Sequence, residues 1–249
     1  MLTLIMLPGA SALGQSITQL TAQEETLAEK VTNPVAPLLR VTAEDAYSPS
    51  LWNTPGEENQ AEGLLAVPFT AFATPNLARI KIFFDTSSSD GTHGVSELQI
   101  FDVMLLGRNR ETFAVGITSL LRPETFNHRD TLAPGPALAA VIKSGKWKYG
   151  LFNQNFLSNT FAQTQLQPVL SRGLGKKWSA EIGDAQYTYD WKKHRVTSLP
   201  LSGQLNRILT LAYQDIHLFF RAQYNLKNES GSDKWTLTAG FSLIMHHQQ

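Results

Sequence analysis

Strict two-residue alternation dominates this chain from about residue 37 onward. In Lys234 to Met245, Trp235, Leu237, Ala239, Phe241, Leu243 and Met245 share one face, while Thr236, Thr238, Gly240 and Ser242 share the other. Successive side chains of a strand point to opposite sides, so each such segment is one apolar wall and one polar wall. The segment before it repeats the pattern: Ile216, Leu218, Phe220, Ala222, Tyr224 and Leu226 stand against His217, Arg221, Gln223 and Asn225. Ala78, Ile80, Ile82 and Phe84 likewise oppose Arg79, Lys81 and Asp85. Phe113, Val115 and Ile117 oppose Thr112, Ala114, Gly116 and Thr118.

The length of these segments narrows the fold further. They run about 10–14 residues, beyond the usual five or six of a soluble strand and enough for a tilted strand to cross a bilayer. Twelve are expected, over 37–48, 62–72, 77–86, 95–106, 111–121, 135–143, 146–157, 162–172, 178–191, 195–211, 215–226 and 234–245. The expected fold is all-β, an antiparallel up-and-down transmembrane barrel of about 12 strands with a short N-terminal helix. With both ends of the chain on the periplasmic side, connections should alternate long outside and short inside. Segments 49–61, 87–94 and 122–134 are long and polar; Gly107 to Arg110 and Ser144-Gly145 are short. The outer connections 158–161 and 192–194 are shorter than that rule prefers.

Composition agrees. Only 17% of residues are charged, with 21 basic and 21 acidic side chains and no Cys. Neutrality argues against nucleic acid as a partner, and the absence of Cys removes disulfides, thiolate metal sites and a cysteine nucleophile. No apolar run approaches the ~18 residues of a transmembrane helix, which leaves a membrane barrel open.

Four domains follow: residues 1–12 as a signal-peptide remnant, 13–36 as an N-terminal helical arm, 37–245 as the barrel and 246–249 as a tail. Leu2 to Leu7 is apolar, and Ala10-Ser11-Ala12 fits a signal-peptidase site, although a basic n-region is missing. Thr21-x-x-Glu24 forms a capping box that opens a helix over 16–33, stopped by Asn33-Pro34. The plainer expectation for this arm is a solvated helix; the alternative is a plug or lid for something hollow.

Four of the five Trp fall at strand ends. Trp147 and Trp178 follow inner turns, and Trp191 and Trp235 flank outer loops, with Tyr187, Tyr189 and Tyr149 on the apolar rows. That is the placement of the aromatic girdles at two membrane interfaces. In 178–191 the apolar set shifts from even (Trp178, Ala180, Ile182) to odd positions (Ala185, Tyr187, Tyr189, Trp191), which predicts a β-bulge near Gly183-Asp184. Asp102 lies on the row of Leu98 and Ile100 and would need a further bulge to leave it.

The polar rows are the better functional lead. Arg79, Lys81, Glu97, Gln99, Lys148, Gln165, Gln167, Glu181, His217, Arg221, Gln223 and Asn225 are expected to face the lumen. Charges facing lipid at mid-depth cost about 2–4 kcal/mol for Arg or Lys. These residues either brace the wall as an internal network or line a narrow polar path. No catalytic residues, metal ligands or cofactor are expected. The six His are scattered, His194 and Ser198 are too far apart for a barrel hydrolase, and Gly173 to Lys177 lacks the phosphate-loop spacing.

Several stretches carry a family resemblance: GKWKYGLFNQNF (145–156), TQLQPVLSRGLGKKWS (164–179), YTYDWKK (187–193), TSLPLSGQLNRIL (197–209), AQYNL (222–226), KWTLTAGFSLIM (234–245) and TNPVAPLL (32–39). Together they resemble the Gram-negative outer-membrane transporter family grouped with the meta-pathway of phenol degradation, some members of which are labelled neuromedin U-like. The resemblance spans about 32–245, is strongest after Gly145 and is looser in the first half. It implies an outer-membrane barrel with a transport role, and it supplies no catalytic residues. The chain departs from the family in ending at Ile244-Met245 followed by HHQQ rather than at an aromatic residue. The function expected is passive or gated passage, or binding, of a small molecule, with a hydrophobic or aromatic one implied by the family alone. The expected partners are outer-membrane lipid, the barrel-assembly machinery and that small molecule, and the expected location is the Gram-negative outer membrane. The alternatives are a plugged structural or interaction barrel, a soluble ligand-binding barrel with its apolar rows turned inward, and an outer-membrane hydrolase.

Overall fold

A wall that satisfies every backbone amide without an open edge has to close on itself, and this chain does. The computed structural model describes residues 25–245 except 90, 92, 108–110 and 124–130. After a one-turn helix α1 (Leu27–Lys30) come β1 (Leu39–Leu51), β2 (Glu58–Ala71), β3 (Thr74–Ser87), β4 (Gly94–Leu106), β5 (Glu111–Arg122), β6 (Thr131–Ser144), β7 (Trp147–Leu157) and β8 (Ala162–Gly173). Two interrupted strands follow, β9 (Trp178–Glu181) with β10 (Tyr187–Asp190), and β11 (Arg195–Ser198) with β12 (Pro200–Leu211). β13 (Gln214–Asn225) and β14 (Asp233–Met245) complete the wall.

Each strand pairs antiparallel with its chain neighbour, and β1 closes on β14 from Leu39↔Met245 to Tyr47↔Leu237. Counting each interrupted strand once gives a closed barrel of twelve antiparallel strands. The rim that holds the start of β1 and the end of β14 is the terminal rim; the other is the distal rim. The terminal-rim turn between β2 and β3 is tight. Phe72 and Ala73 both adopt positive φ (51° and 58°), the two-residue turn whose twist suits a hairpin.

The interruption between β9 and β10 is larger than a simple bulge, yet it changes phase by one residue as a bulge does. From Ser171 to Leu166 of β8 is five steps, facing six from Glu181 to Tyr187. The Ile182 amide still donates to the Leu170 carbonyl at 3.1 Å, and from Gly183 to Gln186 the chain turns toward the lumen. Gly183 turns there with φ 69°, and a Cβ at this position would stand 2.8 Å from Arg221 Cδ. The second interruption falls at Leu199, whose amide donates to Asn225 Oδ1 at 3.0 Å instead of to the ladder. The wall is also thin between β6 and β7, whose pairing stops at Ala137↔Gln154. Pro134 and Pro136 have no amides to offer, so residues 131–136 pair with β5 alone.

The apolar rows face outward. Ile80, Ile82, Phe84, Phe113, Val115, Leu218, Phe220, Leu237 and Phe241 are all exposed on the outer wall, the reverse of what a soluble ligand-binding barrel requires. Asp102 stays on that outer row, between Ala78 and Ile117, with no register shift around it. The structure therefore lacks the bulge that would have turned it inward.

The inner face departs from the expected all-polar lining. Parts of the inward rows of β4, β6 and β7 are themselves apolar: Phe101, Val103, Ala137, Ala139, Val141 and Phe152 form one buried cluster with Leu64, Leu77 and Val35. The terminal half of the lumen is packed as an ordinary core.

Candidate functional site

Val35 belongs to the N-terminal segment, and its burial shows where that segment lies. The expected solvated arm is, from Glu25 to Ala36, a plug inside the barrel. Thr26 caps α1 with Glu29 in a reciprocal box, and the chain leaves the helix at Val31 as a turn, so the described part of the expected 16–33 helix is a single turn. The Thr21-Glu24 box lies outside the described residues. Lys148 holds the plug through the Glu25 carboxylate and the Glu29 carbonyl. Lys143 pairs with Glu29 at 2.8 Å, Arg79 donates to the Pro34 carbonyl at 2.9 Å, and Thr32 shares a hydroxyl contact with Ser171 at 2.8 Å. Ala28 and Val31 pack on Ile208 and Ile244. Two walls of the barrel are thereby tied to one short peptide.

Above the plug, the lumen is crossed by a bar of charge. Lys81 of β3 pairs with Glu62 of β2 at 2.9 Å and with Asp184 of the infolded 183–186 segment at 3.0 Å. β3 lies six strands from the β9/β10 strand in either direction around the wall, so the Lys81–Asp184 pair spans the full diameter. Arg221 supports it from β13, pairing with Glu44 of β1 at 2.9 Å. Beneath the bar remains a cavity of about 80 Å³, bordered by Thr32, Pro34, Gln167, Glu181 and His217.

Between the bar and the distal rim lies a vestibule of about 550 Å³. Its lining holds seven carboxylates against three cations. Four of the carboxylates are paired: Glu44, Glu62 and Asp184 as above, and Glu97 with Arg122 at 3.2 Å. Glu58, Asp85 and Asp233 have no cationic partner among the described residues. Gln60 and Ser96 both donate to Asp85 Oδ1, at 2.7 and 2.9 Å, and fix that carboxylate at the vestibule wall.

The lumen-facing residues expected from sequence all lie on the inner face, at three levels. Glu97, Gln99, Gln165 and Gln223 line the vestibule; Arg79, Lys81, Gln167, Glu181, His217 and Arg221 surround the bar and the small cavity; Lys148 grips the plug. Asn225 instead serves the wall, accepting from the Leu199 and Lys227 amides. Sequence reasoning missed Asp184, Glu62, Glu44 and Glu29. Glu62 and Glu44 sit on inward even rows, whereas Asp184 and Glu29 act from irregular backbone that has no period to read.

His217 is part of a buried chain on the β12–β13–β14 wall. Its Nε2 donates to Asn206 Oδ1 at 2.8 Å, leaving Nδ1 to accept from Ser242 Oγ at 3.4 Å. Ser242 is also engaged by Thr42 at 2.8 Å, and Asn206 donates to Glu181 at 2.9 Å. Among the described residues, no group of three or more His, Asp or Glu side chains is arranged to hold a metal.

The girdle residues form two belts. Trp147 and Trp178 are exposed at the terminal rim; Trp191 and Trp235 are exposed at the distal rim, in edge or tilted contact with Tyr189 and Tyr224. Tyr187 and Tyr189 are half-buried on the distal part of the same wall.

No protein family matches the sequence, and no curated protein does. Solved structures do. The outer-membrane channel COG4313 from Pseudomonas putida F1 is similar with a TM-score of 0.51 and 13% identity, over 84% of this chain and 96% of that one. Outer membrane phospholipase A from Escherichia coli aligns over 89% of this chain and 97% of that one at 10% identity, with a TM-score of 0.48. The translocator domain of the autotransporter NalP from Neisseria meningitidis covers 88% of this chain and 92% of that one, at 13% identity and a TM-score of 0.36. The first likeness carries the fold: this chain has the architecture of an outer-membrane β-barrel. At these identities none of them carries a function.

Proposed function

We propose that this chain is a channel of the Gram-negative outer membrane whose lumen binds or passes a small polar solute, with preference for cations. The observation that carries the reading is the vestibule, a water-accessible chamber of about 550 Å³ with a surplus of carboxylates over cations, inside a wall whose outer face is apolar. A low-dielectric wall lined by one sign of charge concentrates the opposite ion. The family resemblance alone implies a hydrophobic or aromatic cargo; the polar lining supports a hydrophilic one. The terminal rim then faces the periplasm, and passage requires the charged bar and the N-terminal plug to give way.

A second reading, a barrel that braces or recruits without transport, is favoured by the tight closure beneath the bar. Reconstitution in planar bilayers under a potassium chloride gradient separates the two. Discrete currents with a cation-selective reversal potential support the channel; a barrel that inserts and never conducts supports the brace. In this reading the chain is not an enzyme. Ser242, His217 and Asn206 resemble a hydrolytic trio in composition, but all three are buried on the inner wall, and Thr42 and Glu181 occupy their remaining polar contacts.

A further inference from the structure

The outer wall of the terminal rim holds a row of side chains that the lumen does not use. Trp147 sits opposite Arg172 across β7 and β8, and Trp178 opposite Arg207 across β9 and β12. Arg172 also faces Ala180 of β9, so the four side chains form a continuous belt over four adjacent strands, alternating ring and cation. The Arg172 guanidinium lies over the Trp147 ring at 5.1 Å, and that of Arg207 over the Trp178 ring at 5.0 Å. Both rings are well exposed, at 45% and 39%. Three exposed lysines, Lys146, Lys176 and Lys177, flank the belt in the adjoining turns.

None of these five cations belongs to an ion pair among the described residues. The distal rim of the same wall is built differently, since Lys193 pairs with Asp190 at 3.6 Å and Arg195 with Glu229 at 2.5 Å. Lys192, Lys227 and Lys234 at the distal rim also stand outside any ion pair among the described residues, but Lys192 is held by the Asn159 carbonyl and no unpaired guanidinium stacks on an indole there; that arrangement belongs to the terminal rim. Indole rings settle at headgroup depth, which places the guanidinium forks where phosphate oxygens lie, and an Arg fork matches a phosphate with two parallel hydrogen bonds. Stacking on the indoles holds each guanidinium extended along the wall and still open to the headgroup layer.

We propose that this belt binds the phosphate headgroup of an anionic phospholipid, of the phosphatidylglycerol type, in the leaflet at the terminal rim. The inference rests on the membrane reading above. Native mass spectrometry of the full-length barrel, released from detergent with equal phosphatidylglycerol and phosphatidylcholine, tests it. Wild type is expected to retain phosphatidylglycerol in preference. Arg172→Gln with Arg207→Gln should reduce that preference by about five-fold for each cation removed. Lys192→Gln with Lys193→Gln at the distal rim should leave it unchanged. Equal retention of the two lipids by wild type, or an equal loss from the distal pair, would overturn the proposal. Should the arginine pair prevent folding, Lys146→Gln, Lys176→Gln and Lys177→Gln together carry the same comparison. Insertion into phosphatidylcholine vesicles is scored in parallel. Failure to insert refutes the membrane reading itself, whereas insertion without a lipid preference refutes only the belt.

Discussion

Replacing Lys81 by Met strands two carboxylates on the two sides of the lumen. The lysine side chain is 6% exposed, that of Glu62 10% and that of Asp184 27%. Removing one member of a buried ion pair typically costs about 3–5 kcal/mol, because the partner charge keeps its desolvation penalty and loses its compensation. Asp184 borders the vestibule and keeps some contact with water, so the expected loss sits at the lower end, about 3 kcal/mol. Neutralising the whole group is a different perturbation. Lys81→Met with Glu62→Gln and Asp184→Asn removes the three charges of the bar together, so none of them is left without its partner, and should recover to within about 1–2 kcal/mol of wild type. Equilibrium urea unfolding in phospholipid vesicles, followed by tryptophan fluorescence, measures both. If the neutral triple variant unfolds as readily as Lys81→Met alone, the loss comes from packing, and the cross-lumen bar is not an electrostatic device.

Three further perturbations probe other parts of the fold. Asp102→Leu removes a carboxylate from the outer wall and should raise unfolding stability in bilayers by about 1–2 kcal/mol, since acids facing lipid cost less than Arg or Lys but still cost; no gain in urea unfolding would mean that this carboxylate is solvated. Replacing Phe72-Ala73 by Asn-Gly should add about 1 kcal/mol or more, because both positions hold positive φ, and an unchanged unfolding midpoint would refute the turn assignment. Lys148→Met releases its grip on Glu25 and the Glu29 carbonyl. Limited proteolysis of the folded barrel should then cut near residues 25–36 at least several-fold faster, and an unchanged rate would show that apolar packing alone seats the plug.

Much of the wall was legible in the sequence because one face of it is bland. Where the inner row is polar and the outer apolar, as in β13 and β14, period two reads directly and the facing residues follow. From Ile100 to Leu106, β4 carries apolar residues on both rows apart from Asp102, with Ile100 and Met104 outside and Phe101 and Val103 inside. There alternation had no contrast, and the inner core went unseen. Asp102 falls on the outer row in sequence and structure alike, and only turning its charge inward would require a bulge. The phase change at Gly183-Asp184 was also visible, but a one-residue shift in phase says nothing of how many residues fold inward. The plug was hidden for a different reason. Thr21-x-x-Glu24 and Thr26-x-x-Glu29 look alike in sequence, and the side chains that bury the segment, Arg79, Lys143 and Lys148, lie on strands remote in the chain. Complementarity between distant residues leaves no period.

The central claim is that the route through this barrel passes the Lys81–Asp184 bar. The chain has no cysteine, so Asp184→Cys introduces a single thiol at that point. Single-channel current recorded before and after a bulky methanethiosulfonate tests the claim most directly. Modification at residue 184 should cut the current by more than half, and wild type should ignore the reagent. A current carried undiminished past a modified residue 184 would contradict it.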